Sequence, residues 1–295
     1  MNKPIIVIAG PTASGKTSLA ISLAKKFNGE IVNADSRSIY REMNVATSKP
    51  TTKECQLIPH HLIDVVKPDE LFSLADYKKL VNAAISEIHD RGKIPFLVGG
   101  TGLYIDSVVY DYSLPETKPN FDLRKDLEKS STTELAERLE SLDPITYQKI
   151  DLKNKRRLIR AIEVALQTKK SFVSLQTKKP KPTSILYLVL DIPRDILYER
   201  INQRVDKWKD EGLVEETKTL KAKYSIDLPS MSAIGYKEIA EYLDNVVSLS
   251  EALENMKKRT RNYAKRQVTW YKRNKDIIYI KNEKEALDAI EGFLK

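Results

Sequence analysis

The octapeptide GPTASGKT, residues 10–17, directly follows the apolar run IIVIA. It fits the phosphate-cradling pattern G-x-x-x-x-G-K-[ST] without a substitution. No other stretch constrains the fold as much, because the pattern belongs where a buried strand ends and a helix begins. Backbone N–H groups of such a loop point at an anion, and the dipole of the following helix adds positive potential. Gly10 and Gly15 permit the backbone geometry, with Pro11, Thr12, Ala13 and Ser14 between them in the phosphate-binding stretch. Lys16 is placed to reach the terminal phosphate of a bound chain, and Thr17 to offer its hydroxyl to Mg2+. The motif implies phosphate binding and leaves the reaction open.

Further apolar runs repeat the strand pattern. PIIVIAG, EIVNADS, HLIDVV, IPFLVGG, SILYLVLDI and DIIYI are rich in Ile, Val and Leu, which predicts buried strands. SGKTSLAISLAKKF and SLADYKKLVNAAISEIHDRG lie between them with helical spacing. Alternation of this kind predicts an α/β fold, a P-loop-type, doubly wound and mostly parallel sheet. It stops after Tyr110. From about Pro115 to Pro182 no strand signal occurs, whereas TTELAERLESLDP and KNKRRLIRAIEVALQTKK read as helices. That segment is too long for a loop in a compact domain. It is expected to be a helical insertion, residues 115–182, with residues 1–114 and 183–295 as the core and TKKPKPTS as the exit linker.

An apolar fraction of 41% can build such a core. No stretch approaches 18 uninterrupted apolar residues, so no membrane span is expected. The first ten residues lack the h-region and cleavage site of a signal peptide, and a cytoplasmic protein is the expectation. Cys55 is the only cysteine, which excludes an internal disulfide and a cysteine-based zinc cluster. His60, His61 and His89 have no metal-ligand spacing and are expected to be structural or surface residues.

The net charge of +9 is a moderate excess, but its distribution is informative. From Lys257 to Lys275 there are nine basic residues and no acidic one. A helix from about Ser250 to Asn274 would turn Leu253, Met256, Thr260, Tyr263, Ala264, Val268 and Tyr271 inward and leave these cations for a polyanionic partner. A second cluster, KNKRRLIR, begins at Lys153. Arg156, Arg157 and Arg160 oppose the dipole of the helix they open, which suggests an external anion; a solvated face is the alternative.

Three further positions carry candidate chemistry. Asp35 sits where the second strand should end, on the sheet edge at which doubly wound folds bind ligands. It reads as a general base, as a partner of Mg2+, or as a helix cap. Thr101 follows Gly99 and Gly100 at the end of the fourth strand, where an ordinary ATPase often has an acidic residue. Its hydroxyl lies near the reacting oxygen or caps a helix. Arg204 has no acidic neighbour one helical turn away, so it is either a charge clamp over the phosphate site or a surface residue.

Taken together, these stretches resemble the bacterial tRNA dimethylallyltransferases, the tRNA isopentenyltransferase or IPP transferase family. The matching pieces are GPTASGKT, NADSRSIY, LVGGTGLY, the LDP of Leu142–Pro144, RLIRAIEV, INQRVDKW, SAIGYKE and AKRQVTWYK, in family order over roughly residues 5–275. The resemblance implies transfer of a dimethylallyl group from dimethylallyl diphosphate to the exocyclic N6 amine of the adenosine 3′-adjacent to the tRNA anticodon, with release of pyrophosphate. It implies Mg2+ as cofactor and catalytic roles for Asp35 as general base, Thr101 near the leaving oxygen, and Lys16 and Arg204 on the diphosphate. Asp35, Ser36, Arg37, Ser38 and Thr101 would meet the target base. The anticodon stem-loop would lie against Arg156, Arg157 and Arg160, against Gly235, Tyr236 and Lys237 of SAIGYKE, and against Lys265, Arg266 and Gln267 of AKRQVTWYK. A monomer is expected. Eukaryotic relatives carry a C-terminal zinc finger, which a chain with one cysteine cannot form.

Three rival functions share parts of this pattern. A P-loop small-molecule kinase would use the loop and an acid after the second strand, but leaves VGGT and the basic helix without a task. An adenylate isopentenyltransferase acting on AMP or ADP would need neither the insertion nor the basic clusters. A non-catalytic RNA-binding module would leave GPTASGKT, Asp35 and Thr101 unused.

Overall fold

The computed structural model describes residues 3–113, 115 and 117–295. Strands and helices first alternate: β1 (Ile5–Ala9), α1 (Lys16–Lys26), β2 (Gly29–Asn33), α2 (Thr52–Leu57), β3 (His60–His61), α3 (Leu74–Asp90), β4 (Ile94–Gly99) and α4 (Gly102–Val109). Four helices follow, α5 (Phe121–Leu127), α6 (Thr132–Leu142), α7 (Pro144–Tyr147) and α8 (Lys155–Thr168). The chain then runs through β5 (Ile185–Leu190), α9 (Arg194–Asp210), α10 (Leu213–Lys223), a 3-10 turn at Ser230–Ser232, α11 (Tyr236–Leu243), α12 (Leu249–Tyr271), β6 (Ile278–Ile280) and α13 (Glu283–Leu294). It falls into two compact units, Met1–Val109 with Lys181–Lys295, and Tyr110–Pro180.

In the first unit the six strands form one parallel sheet in the order β3-β2-β4-β1-β5-β6. Val7, Leu97 and Leu188 are fully buried, which is why the central strands read as continuous apolar runs rather than alternating ones. Ala9 pairs with Gly99, and Asn33 with Val98. This register ends β1, β4 and β2 at one level, so the segments that follow them lie side by side. A second apolar cluster, including Met43, Trp208, Met231, Tyr236 and Met256, holds α9 to α12 together.

Two expected strands differ. Of HLIDVV, only His61 pairs in the sheet, together with His60. Leu62 and Asp64 adopt left-handed conformations, with φ of 62° and 56°, which ends the extended run. Val65 then donates to Ile39 O at 2.8 Å, away from β2. DIIYI yields a three-residue edge strand in which Ile278 and Tyr279 are exposed and Ile280 alone is buried. Capped by Ser248, α12 turns Met256, Thr260, Ala264 and Tyr271 inward as expected. Leu253, Tyr263 and Val268 are half-buried, while Gln267 is buried.

The second unit has its own core of Leu127, Leu135, Leu139, Leu158, Ile162 and Phe172. Glu163 is fully buried there. It accepts from Arg124 at 2.7 and 2.9 Å, from Arg160 at 2.5 Å and from Asn120 N at 2.6 Å. Arg160 thus has an internal anion, contrary to the expectation of an external one. Arg156 and Arg157 are exposed, with no carboxylate partner among the described residues. Asp143 of LDP accepts from Thr146 N at 3.0 Å and Phe172 N at 2.8 Å, so it is a joint of this unit.

Candidate active site

The carboxyl ends of β1, β2 and β4 open into one cavity of about 450 Å³, formed entirely by the first unit. Thr12, Ala13, Gly15, Lys16 and Thr17 line it from the phosphate loop, whereas Gly10, Pro11 and Ser14 are buried behind them. Gly15 takes φ +90° at the start of α1, a conformation that favours glycine. Lys16 Nζ donates to Pro11 O at 3.3 Å. Burial lowers the Lys16 pKa to about 8; the Asp35 carboxylate opposes this and the Arg204 guanidinium adds to it. Without a bound anion, Lys16 is therefore a cation held against a desolvation cost.

Arg204, expected as either a charge clamp or a surface residue, lines the cavity. It lies on α9 and donates to Thr12 Oγ1 at 3.3 Å. Burial holds its pKa below the usual guanidinium value, with Glu211 and Asp35 pulling it back up. One turn earlier, Arg200 donates to Ser14 O at 3.5 Å. Two cations from α9 thus reach the loop, of which the sequence reading identified one.

Asp35 does not cap a helix, since α2 begins at Thr52 with Thr51 as its cap. Its Oδ1 accepts from Arg37 N at 2.8 Å. The Asn33 side chain holds its backbone on both sides, accepting from Asp35 N and donating to Asp35 O, each at 3.1 Å. Thr101 Oγ1 accepts from Ser36 N at 3.0 Å rather than capping α4 with its side chain. The segments after β2 and β4 are thereby locked together, and Asp35, Ser36 and Lys16 share one cavity wall. Tyr263, from α12, also lines the cavity. Its pKa is raised to about 12 by burial and by the Asp35 charge, against the Thr101 hydroxyl beside it. Periodicity had placed Tyr263 only in the core.

The expected RNA-facing residues divide. Lys237, Lys265 and Arg266 are exposed. Gly235 and Tyr236 are buried, and the Tyr236 hydroxyl donates to Glu216 Oε1 at 2.7 Å. Gln267 is turned inward and makes two backbone hydrogen bonds. Arg37 lines the cavity, but its guanidinium donates to Pro229 O, Ser230 O and Ser232 Oγ at 2.8, 3.3 and 3.1 Å. Ser38 is buried and also lines the cavity. Two of the nine cations on the basic segment are neutralised internally: Lys257 by Asp206 and Glu254, and Arg259 by the buried Glu238. Of the histidines, His60 lines the cavity, His61 pairs with Glu30 at 2.7 Å and His89 Nε2 lies 2.9 Å from Pro4 O.

Known proteins match this arrangement over nearly the whole chain. The tRNA dimethylallyltransferase of Anoxybacillus flavithermus is 41% identical over 99% of this chain and 97% of that protein. The tRNA dimethylallyltransferase of Caldanaerobacter subterraneus is 46% identical over 91% and 88%. Among solved structures, the tRNA isopentenylpyrophosphate transferase of Bacillus halodurans superposes with a TM-score of 0.75 at 38% identity, covering 99% of this chain and 97% of that one. A eukaryotic dimethylallyltransferase acting on tRNA superposes with a TM-score of 0.82 at 32% identity, over 95% of this chain and 74% of that one. The profile of the IPP transferase family matches residues 38–274. On the match of profile, sequence and fold, the chain belongs to the IPP transferase family.

Proposed function

We propose that this protein transfers a dimethylallyl group from dimethylallyl diphosphate to the N6 amine of the adenosine 3′-adjacent to a tRNA anticodon. The observation that carries the reading is one cavity in which a phosphate loop with two cations, Lys16 and Arg204, adjoins Asp35 and Ser36, with Thr101 hydrogen-bonded to Ser36 beside it. In the step, the N6 lone pair forms a bond to C1 of the allyl group. The C1–O bond breaks, and its electron pair leaves on the diphosphate. Lys16, Arg204 and the loop amides stabilise the charge that develops there. Asp35 takes the proton shed by N6. Its backbone is held by Asn33, so the carboxylate is preorganised. Thr101, whose hydroxyl accepts from Ser36 N, would act near the leaving oxygen.

No group of three His, Cys, Asp or Glu side chains among the described residues could cage a metal. That suits Mg2+, which keeps waters and binds through substrate phosphates with few protein ligands. The Thr17 hydroxyl lines the cavity and would be such a ligand. Mg2+ would supply charge neutralisation to the diphosphate.

The target base would leave the anticodon stack to reach the cavity. Exposed Lys265, Arg266 and Lys237 would hold the stem-loop through its phosphates, and the insertion, with Arg156 and Arg157, would add contacts. No helix among the described residues is long and apolar enough to cross a membrane, consistent with action on tRNA in the cytoplasm. The relatives named for tRNA prenylation favour this reading over a kinase or an AMP-directed enzyme.

The test is transfer from labelled dimethylallyl diphosphate in the presence of Mg2+ and unmodified tRNA, followed by digestion to nucleosides. Label in isopentenyl-adenosine is the expected outcome. Label on AMP alone would move the activity to the free nucleotide, and ATP-dependent phosphorylation without prenyl transfer would replace the reading with a kinase.

A further inference from the structure

Gln267 was grouped with Lys265 and Arg266 as an RNA contact, yet it is 6% exposed while both neighbours face solvent. Its Oε1 accepts from Thr12 N at 2.9 Å, and its Nε2 donates to Gly100 O at 2.8 Å. One carboxamide thus bridges the phosphate loop and the turn that carries Thr101. A Cβ at Gly100 would stand 2.4 Å from Gln267 Nε2, so a larger residue there would push the carboxamide out of its present position. One helical turn on, Trp270 repeats the arrangement. Its indole fills the space where a Cβ at Gly102 would lie, again 2.4 Å away, and its Nε1 donates to Asp106 Oδ2 at 2.8 Å. Two of the three close-approach glycines of GGTG are therefore paired with Gln267 and Trp270 of α12, while Gly99 lies against the Ala34 backbone.

We propose that Gln267 is a positioning residue of the donor site, setting the spacing between the diphosphate loop and Thr101 from the helix that also carries the exposed Lys265. This deepens the reading above and rests on it for the identity of the donor. The Thr12 amide is committed to Gln267 and does not take part in cradling phosphate; its role is to anchor the loop. Only a side chain with one acceptor and one donor at the same reach satisfies both backbone groups. Leucine at 267 would keep most of the volume and leave both groups buried without partners. Glutamate would keep the Thr12 contact and set a second oxygen against Gly100 O.

The experiment uses the full chain and its Gln267→Leu, Gln267→Glu and Lys265→Ala variants. Inorganic pyrophosphate binding, anticodon stem-loop RNA binding, thermal unfolding and the transfer kinetics are measured on each. For Gln267→Leu we expect pyrophosphate affinity to fall about tenfold, the donor KM to rise by a similar factor and kcat to fall, with RNA affinity kept. Gln267→Glu recovers part of the pyrophosphate affinity. Lys265→Ala does the reverse, weakening RNA binding and leaving pyrophosphate binding intact, since Lys265 is exposed and does not line the cavity. Loss of RNA affinity with unchanged pyrophosphate affinity in Gln267→Leu would overturn the proposal in favour of a direct RNA contact. A lower melting temperature with both affinities unchanged would overturn it in favour of packing alone. If Gln267→Leu does not fold, Gly100→Ala presses on the same carboxamide from the other side and must give the same split. Wild-type protein that binds pyrophosphate but transfers nothing would sink the prenyl reading while leaving the pyrophosphate comparison decisive for Gln267.

Discussion

Arg204 Nη1 donates to Thr12 Oγ1 across 3.3 Å, tying the middle of α9 to the phosphate loop. The side chain is half-buried and paired with a hydroxyl rather than a carboxylate, so its charge is left for a ligand. Replacing Arg204 with alanine should lower kcat/KM for transfer by about 10²–10³-fold, the scale of losing one preorganised charge-stabilising group. Lysine should restore only part of it, because a point charge lacks the planar fork. An unchanged kcat/KM in steady-state assays would remove Arg204 from the site.

Asp35 is held by Asn33 and Arg37 N, so Asp35→Asn keeps the geometry and removes the proton acceptor. Transfer should fall about 10²–10⁴-fold while pyrophosphate still binds. Retention of most of the rate would mean that the proton leaves by another route, for instance to the diphosphate itself.

Lys16 gives a pH dependence of definite sign. Its free-state pKa is lowered to about 8 by burial, with Asp35 raising it and Arg204 lowering it. The cation is present below that value and lost as pH rises through it. Pyrophosphate affinity should therefore weaken above about pH 8. Pyrophosphate titrates in its own right, so the comparison is with Lys16→Arg, which stays charged. The wild-type profile should bend downward where the variant's does not, and parallel profiles by calorimetry would refute the assignment.

The second unit should depend on Glu163. This fully buried carboxylate joins Arg124, Arg160 and Asn120 N, and its removal strands two cations. Glu163→Ala should cost about 3–5 kcal/mol. Loss of amide-exchange protection should concentrate in α5 and α8. A change within about 0.5 kcal/mol would place it with ordinary surface substitutions.

The central sheet was legible because parallel strands buried on both faces are written as apolar runs, and β1, β4 and β5 follow that rule, while β2 interrupts its run with Glu30, buried and paired with Arg91 and Lys93. HLIDVV failed it: Leu62 and Asp64 are left-handed, a backbone property that side-chain polarity does not reveal. Asp35 and Thr101 could be placed because each follows a strand end, and Lys16 because it closes the loop that leaves β1, where topology alone brings residues together. Gln267 could not, since its partners lie 255 and 167 residues away in the chain. Arg160 was misread for the opposite reason. Its anion is Glu163, three residues along the same helix, and the basic run drew attention away from it.

The edge strand β6 bears on how this protein behaves in concentrated solution. Its outer side ends the sheet, with Ile278 and Tyr279 exposed, and an open apolar edge is a template for pairing with a second chain. Two features blunt it. The strand is only three residues long, and Lys275, Lys281 and Lys284 flank it, so two such edges brought together would repel. Neutralising these lysines should promote self-association without touching the cavity, which makes the cations around β6 guardians of solubility rather than of catalysis.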